Sequence, residues 1–122
     1  DLNGLKRVND QFGHRAGDEL IVRAAMAAVE VFAEDTYRVG GDEFVVLRFG
    51  ITQEEFAART DQLRKKMREN QVNASIGTVW RETAGDLEEL LRCADESMYG
   101  EKKQYYCRAD AEREEASVPE FI

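Results

Sequence analysis

Apolar residues recur every three or four positions between Glu19 and Phe32, the spacing of a helix that buries one face. The alanines in this run also favour a helix intrinsically. We therefore expect a helix over residues 18–32, with Asp18 at its start and a polar loop bracketed by glycines before it. Residues 1–10 mix turn formers with charges, which predicts a loop that runs into a short helix.

Two further helices are marked by their capping residues. Thr52 and Glu55 form a capping-box pattern, and the helix that follows carries many charges, as a solvated face does. Acids from residue 86 onward open the last helix, which we expect to run to about residue 106. One face of this helix is apolar. It consists of Leu87, Leu90, Leu91, Ala94 and Met98.

A glycine pair separates two stretches with the composition of strands. Residues 36–39 are rich in β-forming types, and residues 43–49 carry an apolar run without polar alternation, which predicts a strand buried on both faces. Gly40 and Gly41 can both adopt positive φ, as a tight hairpin turn requires. The hairpin is therefore expected to be central, with its turn at the edge of the sheet. A further strand is expected over residues 72–80.

The bulk composition fits one globular domain. The chain has 122 residues, 43% of them hydrophobic and 34% charged, with no apolar run of membrane-spanning length and no signal-peptide pattern. A cytoplasmic domain is expected, and membrane attachment of a full-length protein stays open. The net charge of -8 argues against direct nucleic-acid binding. Cys93 and Cys107 lack zinc-type spacing and are expected to be free thiols.

Each polar motif of the chain has a plain structural explanation. The glycine pair could have no role beyond a hairpin turn, which Arg38 would stabilise. The two acids that follow could be ordinary surface residues. Asp18 could cap its helix, and Asn9 could fix a loop. Lys102 near a helix C-terminus is favourable to the helix dipole. The motifs gain weight only from their joint order along the chain.

That order is specific. An acid opens the chain, residues 9–18 read NDQFGHRAGD, residues 38–44 read RVGGDEF, and the pattern Ala94-Asp95-x-x-Met-Tyr-x-x-Lys follows. The combination resembles the GGDEF family, the diguanylate cyclases, over residues 1–106, and leaves residues 107–122 as a C-terminal tail that is loose or weakly helical. The resemblance implies an α/β (α+β) fold of the palm-like nucleotide-cyclase type, with a mostly antiparallel central sheet flanked by helices.

The resemblance also implies a reaction. Two GTP molecules would condense to cyclic di-GMP and two pyrophosphates across a homodimer, with Mg²⁺, or alternatively Mn²⁺, as the cofactor. Magnesium takes oxygen ligands, usually one or two carboxylates with phosphate and water oxygens. Asp1 and Asp42 match the metal-ligand positions of the family, and the carbonyl of Leu2 would add a backbone ligand. Glu43 is expected either as a second ligand or as a proton acceptor.

Substrate contacts follow from the same resemblance. One carboxylate can accept from both the N1–H and the amino group of guanine, and Asp18 matches the acid that does so, with Asn9 as its partner amide. Lys102 matches the phosphate-binding lysine. Backbone amides of the first loop would cradle phosphates, and the glycine pair would keep side-chain bulk away from the nucleotide. These backbone positions are Asn3, Gly4, Leu5, Gly40 and Gly41.

The sequence departs from the family pattern at several positions. Asn3 replaces a second acid, and Leu5 replaces a phenylalanine. Tyr106 falls where a second phosphate-binding residue, an arginine, is usual, so that contact is either lost or supplied by Lys103 or Arg108. Residues 31–34 lack the Arg-x-x-Asp motif of the product-inhibition site, and we expect no feedback inhibition there.

The family has a central strand before its first metal-binding acid, and this sequence begins at that acid. A fragment of a larger protein, with an upstream sensor domain that controls dimerisation, is therefore expected. Two other classes of function remain open at this stage. One is a non-catalytic module that binds GTP or docks a partner, and the other is a structural dimerisation domain.

Overall fold

The computed structural model describes residues 1–83 and 85–117 and shows the mixed helix and strand architecture expected for the fold class. A small antiparallel sheet lies among the helices, in agreement with the α+β prediction. The helices are α1 (Leu5–Phe12), α2 (His14–Phe32), α3 (Gln53–Glu69) and α4 (Leu87–Ser117), and the strands are β1 (Thr36–Arg38) and β2 (Phe44–Val46).

Helix α2 is the centre of the packing, with α1 and α3 against it. Its buried face is rich in alanine, and small side chains allow neighbouring elements to approach closely. The buried core also takes Leu2 from the chain start and Val72 from the segment after α3. Its members are Leu2, Leu20, Ala24, Ala27, Ala28, Val31, Phe32, Leu63, Met67 and Val72.

Two helix boundaries differ from the predictions. Helix α2 begins at His14, four residues before the expected start, because a single glycine, Gly13 with φ 92°, separates it from α1. Helix α4 passes the expected end near residue 106 and continues to Ser117. The added stretch contains alanine, glutamate and arginine, which favour helix, and no glycine or proline. The rest of the predicted tail, residues 118–122, lies outside the described residues.

The predicted caps are confirmed. The backbone N–H of Glu55 donates to Thr52 Oγ1 at 3.1 Å, and the N–H of Glu88 donates to Asp86 Oδ1 at 3.0 Å. The apolar face of α4 is only partly covered, since Leu87 and Leu91 are exposed.

The hairpin has the predicted strands but not the predicted turn. Strands β1 and β2 pair antiparallel, and Arg38 lies opposite Phe44. Five residues, 39–43, connect them, and the N–H of Val39 donates to the carbonyl of Glu43 at 3.0 Å. Among the described glycines, only Gly4, Gly13 and Gly50 have positive φ, so the tight turn is wrong.

Arg38 explains how this longer loop is held. Its guanidinium donates to the carbonyls of Gly40 and Gly41 at 3.1 and 2.9 Å. The expectation that Arg38 stabilises the hairpin is therefore confirmed.

Two strand predictions are wrong. Strand β2 spans three residues and is half-buried, although its composition predicted burial on both faces. The predicted strand over residues 72–80 is reduced to a single bridge between Leu2 and Ala74. A strand needs a partner along its whole length, and within residues 1–83 and 85–117 no strand pairs with residues 76–80.

The segment after α3 is instead fixed by contacts with helices and loops. A Cβ at Gly77 would overlap the carbonyl oxygen of Ala94 and the backbone of Met98, so the segment lies directly on α4. The indole N–H of Trp80 donates to the carbonyl of Ile51 at 3.0 Å.

A bidentate ion pair joins α3 to α4. Arg64 Nη1 and Nη2 donate to Glu101 Oε1 and Oε2 at 2.8 and 2.9 Å, and the N–H of Ile76 donates to the same carboxylate at 3.5 Å. The hydrogen bond from Arg64 lowers the pKa of Glu101 below its usual value of 4.5. Because the folded pKa is lowered, the pair stabilises the protein above pH 4.5, and this contribution falls away as the pH drops through the folded pKa.

We therefore expect Glu101→Gln to lower the free energy of unfolding by about 1 kcal/mol at pH 7, a modest figure because both side chains are about a third exposed. The difference from wild type should shrink steadily below pH 4.5. Urea denaturation from pH 7 to about pH 3 measures it. As a control, Glu19→Gln removes one partner of the exposed Arg15 pair and should change little. A difference that stays constant with pH would contradict the assignment.

Candidate functional site

The first residues of the chain lie between the hairpin loop and the segment after α3. The N–H of Leu2 donates to the carbonyl of Asp42 at 2.7 Å, and the N–H of Ser75 donates to the carbonyl of Asp1 at 2.8 Å. This arrangement brings Asp1 beside the loop that carries Asp42 and Glu43. The two predicted metal acids, which are 41 positions apart in the sequence, thus lie on neighbouring backbone segments.

The carboxylate of Asp1 is the most enclosed acid of this region, with its side chain 8% exposed. Lys102 Nζ lies 3.1 Å from Oδ2. The second oxygen, Oδ1, is buried without a hydrogen-bond partner. An unpartnered buried carboxylate oxygen is unfavourable, and a cation bound to it would remove that cost. The donor set therefore fits an oxygen-seeking divalent metal.

Other charged groups lie near Asp1. The carboxylates of Glu43, Asp42 and Asp95 are close enough to Asp1 to act on it electrostatically. Asp95 was not among the predicted site residues. Its sequence signal is a spacing of seven residues from Lys102, which places both on one face of α4. Across the part of the chain that the structure describes, however, no group of three or more His, Cys, Asp or Glu side chains is close enough to form a complete metal site.

Asn9 and Asp18 are brought together by the contact between α1 and α2. A Cβ at the buried Gly17 would overlap the amide of Asn9, so only glycine lets this amide lie against α2. Asp18 follows Gly17 directly, and its side chain is exposed. The half-buried Asn9 thus lies against the residue next to the exposed Asp18.

The structural alternative for Asp18 is wrong. Helix α2 is capped by Gly13, so Asp18 lies inside the helix and does not cap it. The alternative for Asn9 stays open: the residue lies within α1, and its carbonyl accepts from the N–H of Gly13 at 2.9 Å, a bond that holds the connection between α1 and α2.

The first loop is ordered by Asn3. Its buried amide donates to Asn73 Oδ1 at 2.9 Å, and its Oδ1 accepts from Ser75 Oγ at 3.0 Å. Asparagine can donate and accept in this way, whereas an ionised aspartate can only accept. The departure from the family pattern at this position thus serves a buried hydrogen-bond network.

Gly4 begins α1 with φ 74° and no side-chain cap, and Leu5 is the first helical residue. A Cβ at Gly4 would come within 2.8 Å of the hydroxyl of Tyr105. Glycine is therefore required here both by the backbone conformation and by the approach of α4. Of the three amides that the resemblance assigned to phosphates, those of Gly4 and Leu5 lie at the uncapped start of α1. The N–H of Asn3 instead donates to the carbonyl of Asn73 at 2.9 Å, so the assignment is wrong for this residue.

The remaining predicted positions are less enclosed. Gly40 and Gly41 are exposed, and a Cβ on Gly41 would have no neighbour within 4 Å, so no protein contact requires glycine there. Tyr106 is 42% exposed and packs edge-on against Tyr105, with ring centroids 5.0 Å apart. Cys93 and Cys107 are free, as predicted.

None of the helices in the described part of the chain has the length and apolarity that crossing a membrane requires.

Comparison with known proteins gives a consistent answer. The family model described as "Diguanylate cyclase, GGDEF domain" matches residues 1–106. The diguanylate cyclase DosC of Shigella sonnei is 28% identical over an alignment of 116 residues that covers 85% of this chain and 25% of DosC. The probable diguanylate cyclase DgcI of Escherichia coli is 33% identical over an alignment of 107 residues that covers 84% of this chain and 24% of that protein. The chain thus spans about a quarter of the length of these relatives. It belongs to the GGDEF domain family of diguanylate cyclases.

Proposed function

We propose that this chain is a catalytic domain that condenses two GTP molecules into cyclic di-GMP and two pyrophosphates. The observation that carries the proposal is the enclosed carboxylate of Asp1, with its unpartnered Oδ1, beside the loop that bears Asp42. A buried carboxylate oxygen without a partner is a costly feature for a purely structural domain.

Asp1 and Asp42, with the carbonyl of Leu2, would hold Mg²⁺ or Mn²⁺ through oxygen ligands. When bound, the metal supplies positive charge to the triphosphate and favours deprotonation of the attacking 3′-hydroxyl. Glu43 lies on the same loop. It either completes the ligand set or accepts the hydroxyl proton.

The chain's own residues would position the nucleotide. Asp18 accepts from the N1–H and amino group of guanine, and Asn9 is held beside it by its contact with Gly17. The amides of Gly4 and Leu5 donate to phosphate oxygens, whereas the N–H of Asn3 already donates to the carbonyl of Asn73. Lys102, whose ammonium already lies at Asp1, adds positive charge at the same end of the nucleotide.

One copy of this site binds one GTP, so the two-substrate reaction calls for a homodimer with the sites face to face. The relatives are about four times as long as the matched region. We propose that further domains in the full-length protein dimerise, respond to a signal and so raise the effective concentration of the two sites.

Incubation of the purified dimeric protein with GTP and Mg²⁺ tests the function. Chromatography should show cyclic di-GMP and two equivalents of pyrophosphate per product, and ATP should give no cyclic product because adenine lacks the paired donors that Asp18 reads. Dimeric protein that binds GTP but forms no product would rule out the proposed reaction.

That outcome would support the second candidate, a module that binds GTP without turnover. Two observations favour it: Lys102 forms an ion pair with the predicted metal ligand Asp1, and the described residues contain no cluster of three metal-binding side chains. Calorimetric GTP binding in the absence of product separates this module from the enzyme. A structural dimerisation domain would bind no nucleotide.

A further inference from the structure

The ammonium of Lys102 contacts one oxygen of the acid that the proposed function assigns to the metal. Lys102 Nζ lies 3.1 Å from Asp1 Oδ2, and the side chain of Asp1 is 8% exposed. The other oxygen, Oδ1, is buried and accepts no hydrogen bond from any described residue. The enclosed carboxylate is therefore satisfied on one side only, by a group that carries a single positive charge.

The acids around this contact favour a cation of higher charge. The carboxylates of Asp42, Glu43 and Asp95 are close enough to Asp1 to act on it electrostatically. Four acids therefore share the region with the ammonium of Lys102. A divalent cation carries twice the charge of an ammonium and can bind several oxygens at once. The acid set thus favours exchange of the lysine for a divalent cation.

The two partners of the contact differ in how firmly they are held. The carbonyl of Asp1 accepts from the N–H of Ser75 at 2.8 Å, which fixes the backbone below the carboxylate. The side chain of Lys102 is 37% exposed and ends a flexible four-carbon stem. The helix that carries it is held separately, through the bidentate pair of Glu101 with Arg64. The ammonium can therefore move into solvent while Asp1 and α4 stay in place.

We propose that Lys102 is an exchangeable counter-ion of Asp1, which occupies the carboxylate in the metal-free protein and leaves it when a divalent cation binds. This role rests on the proposed function and adds control of its metal site. Because the lysine competes for the carboxylate, the apparent affinity for a divalent cation is lower than that of Asp1 without the lysine. The ion pair is then compatible with an enzyme.

Electron paramagnetic resonance of Mn²⁺ in the absence of nucleotide tests the exchange, because free Mn²⁺ gives a strong signal and bound Mn²⁺ a weak one. Lys102→Met keeps an apolar side chain of similar length and removes the charge. If the contact is closed about nine-tenths of the time, this variant should bind Mn²⁺ about tenfold more tightly than wild type. The gain should disappear when Asp1→Asn is added to Lys102→Met.

Lys103→Gln is the matched control. It removes the same charge from the next position of α4, where the side chain is exposed. Because an exposed charge is screened by solvent and salt, the affinity for Mn²⁺ should change by less than about twofold.

Thermal unfolding gives an independent readout. Without metal, Lys102→Met leaves both oxygens of the enclosed Asp1 carboxylate without a partner among the described residues. The variant should therefore melt about 5 °C below wild type. At one Mn²⁺ concentration, the melting temperature should rise more in Lys102→Met than in wild type, because the tighter ligand stabilises the native state more.

The outcomes separate the exchange from the proposed function. Equal Mn²⁺ affinity of wild type and Lys102→Met would overturn the exchange, while Asp1 as a metal ligand and the proposed reaction would stand. An equal gain in Lys103→Gln would also overturn it, because general charge and not the contact would then set the affinity. If neither wild type nor Lys102→Met binds Mn²⁺, the exchange fails, and product formation from GTP decides the proposed function separately.

Discussion

Asp42→Asn is expected to abolish cyclic di-GMP formation, with a fall in turnover of about a thousandfold or more. The substitution removes one of the two carboxylates that would hold the metal, and the remaining acid, Asp1, already shares its charge with Lys102. The fold should survive, because Asp42 supports the chain start through its backbone carbonyl, which asparagine retains. Product formation by chromatography and thermal unfolding measure the two effects separately.

Glu54→Gln is the control for loss of a negative charge. Glu54 is exposed in the first turn of α3, and its replacement should leave turnover unchanged. Wild-type activity in Asp42→Asn would exclude this acid as a metal ligand and would contradict the proposed mechanism. A variant that binds GTP weakly even without divalent cation would point instead to a structural role in the loop.

Local signals in the sequence predicted the helices well. The Thr52 and Asp86 caps act on the first turn of their own helices, so a few neighbouring residues contain all the required information. The start of α2 was misplaced because two glycines, Gly13 and Gly17, both resemble breaks. Only Gly13 ends a helix, whereas Gly17 lies inside α2 and makes room for Asn9.

The strands were predicted less well because pairing is not a local property. The apolar run around Phe44 indicated a buried strand, but burial depends on what lies on each side of the sheet. Residues 76–80 have strand composition and yet form no strand pairing with any of the described residues. The composition identified a β-forming segment, but whether it becomes a strand depends on a neighbouring strand with which it can pair.

The site could be predicted from the sequence only through the resemblance. Nothing in the spacing of Asp1 and Lys102 indicates their 3.1 Å contact across 101 positions. Likewise, the contact between Tyr105 and Gly4 depends on the path of α4. The resemblance predicted which residue types would be used, and the packing of α4 onto the first loop shows which further residues accompany them.

Gly77→Ala is expected to destabilise the protein by about 3 kcal/mol, the upper range for an added methyl group in a packed region. The new Cβ would overlap the Ala94 carbonyl and the backbone of Met98. These are atoms of a helix backbone, so no side-chain rotation can relieve the overlap, and residues 72–80 would have to move away from α4. Because Ser75 and Ala74 in this segment hold the chain start, such a movement should also displace Asp1. Urea denaturation measures the loss, and turnover should fall with it.

Gly100→Ala provides a control of opposite sign on the same helix. A Cβ at Gly100 meets no atom within 4 Å, and the residue lies well inside α4, where alanine is favoured over glycine by about 0.5–1 kcal/mol. This variant should therefore be slightly more stable than wild type. If Gly77→Ala were equally well tolerated, the segment would not lie on α4 as described, and the position of Asp1 would need another support. Opposite signs for the two variants would show that close contact, and not the loss of a flexible glycine, determines the effect at position 77.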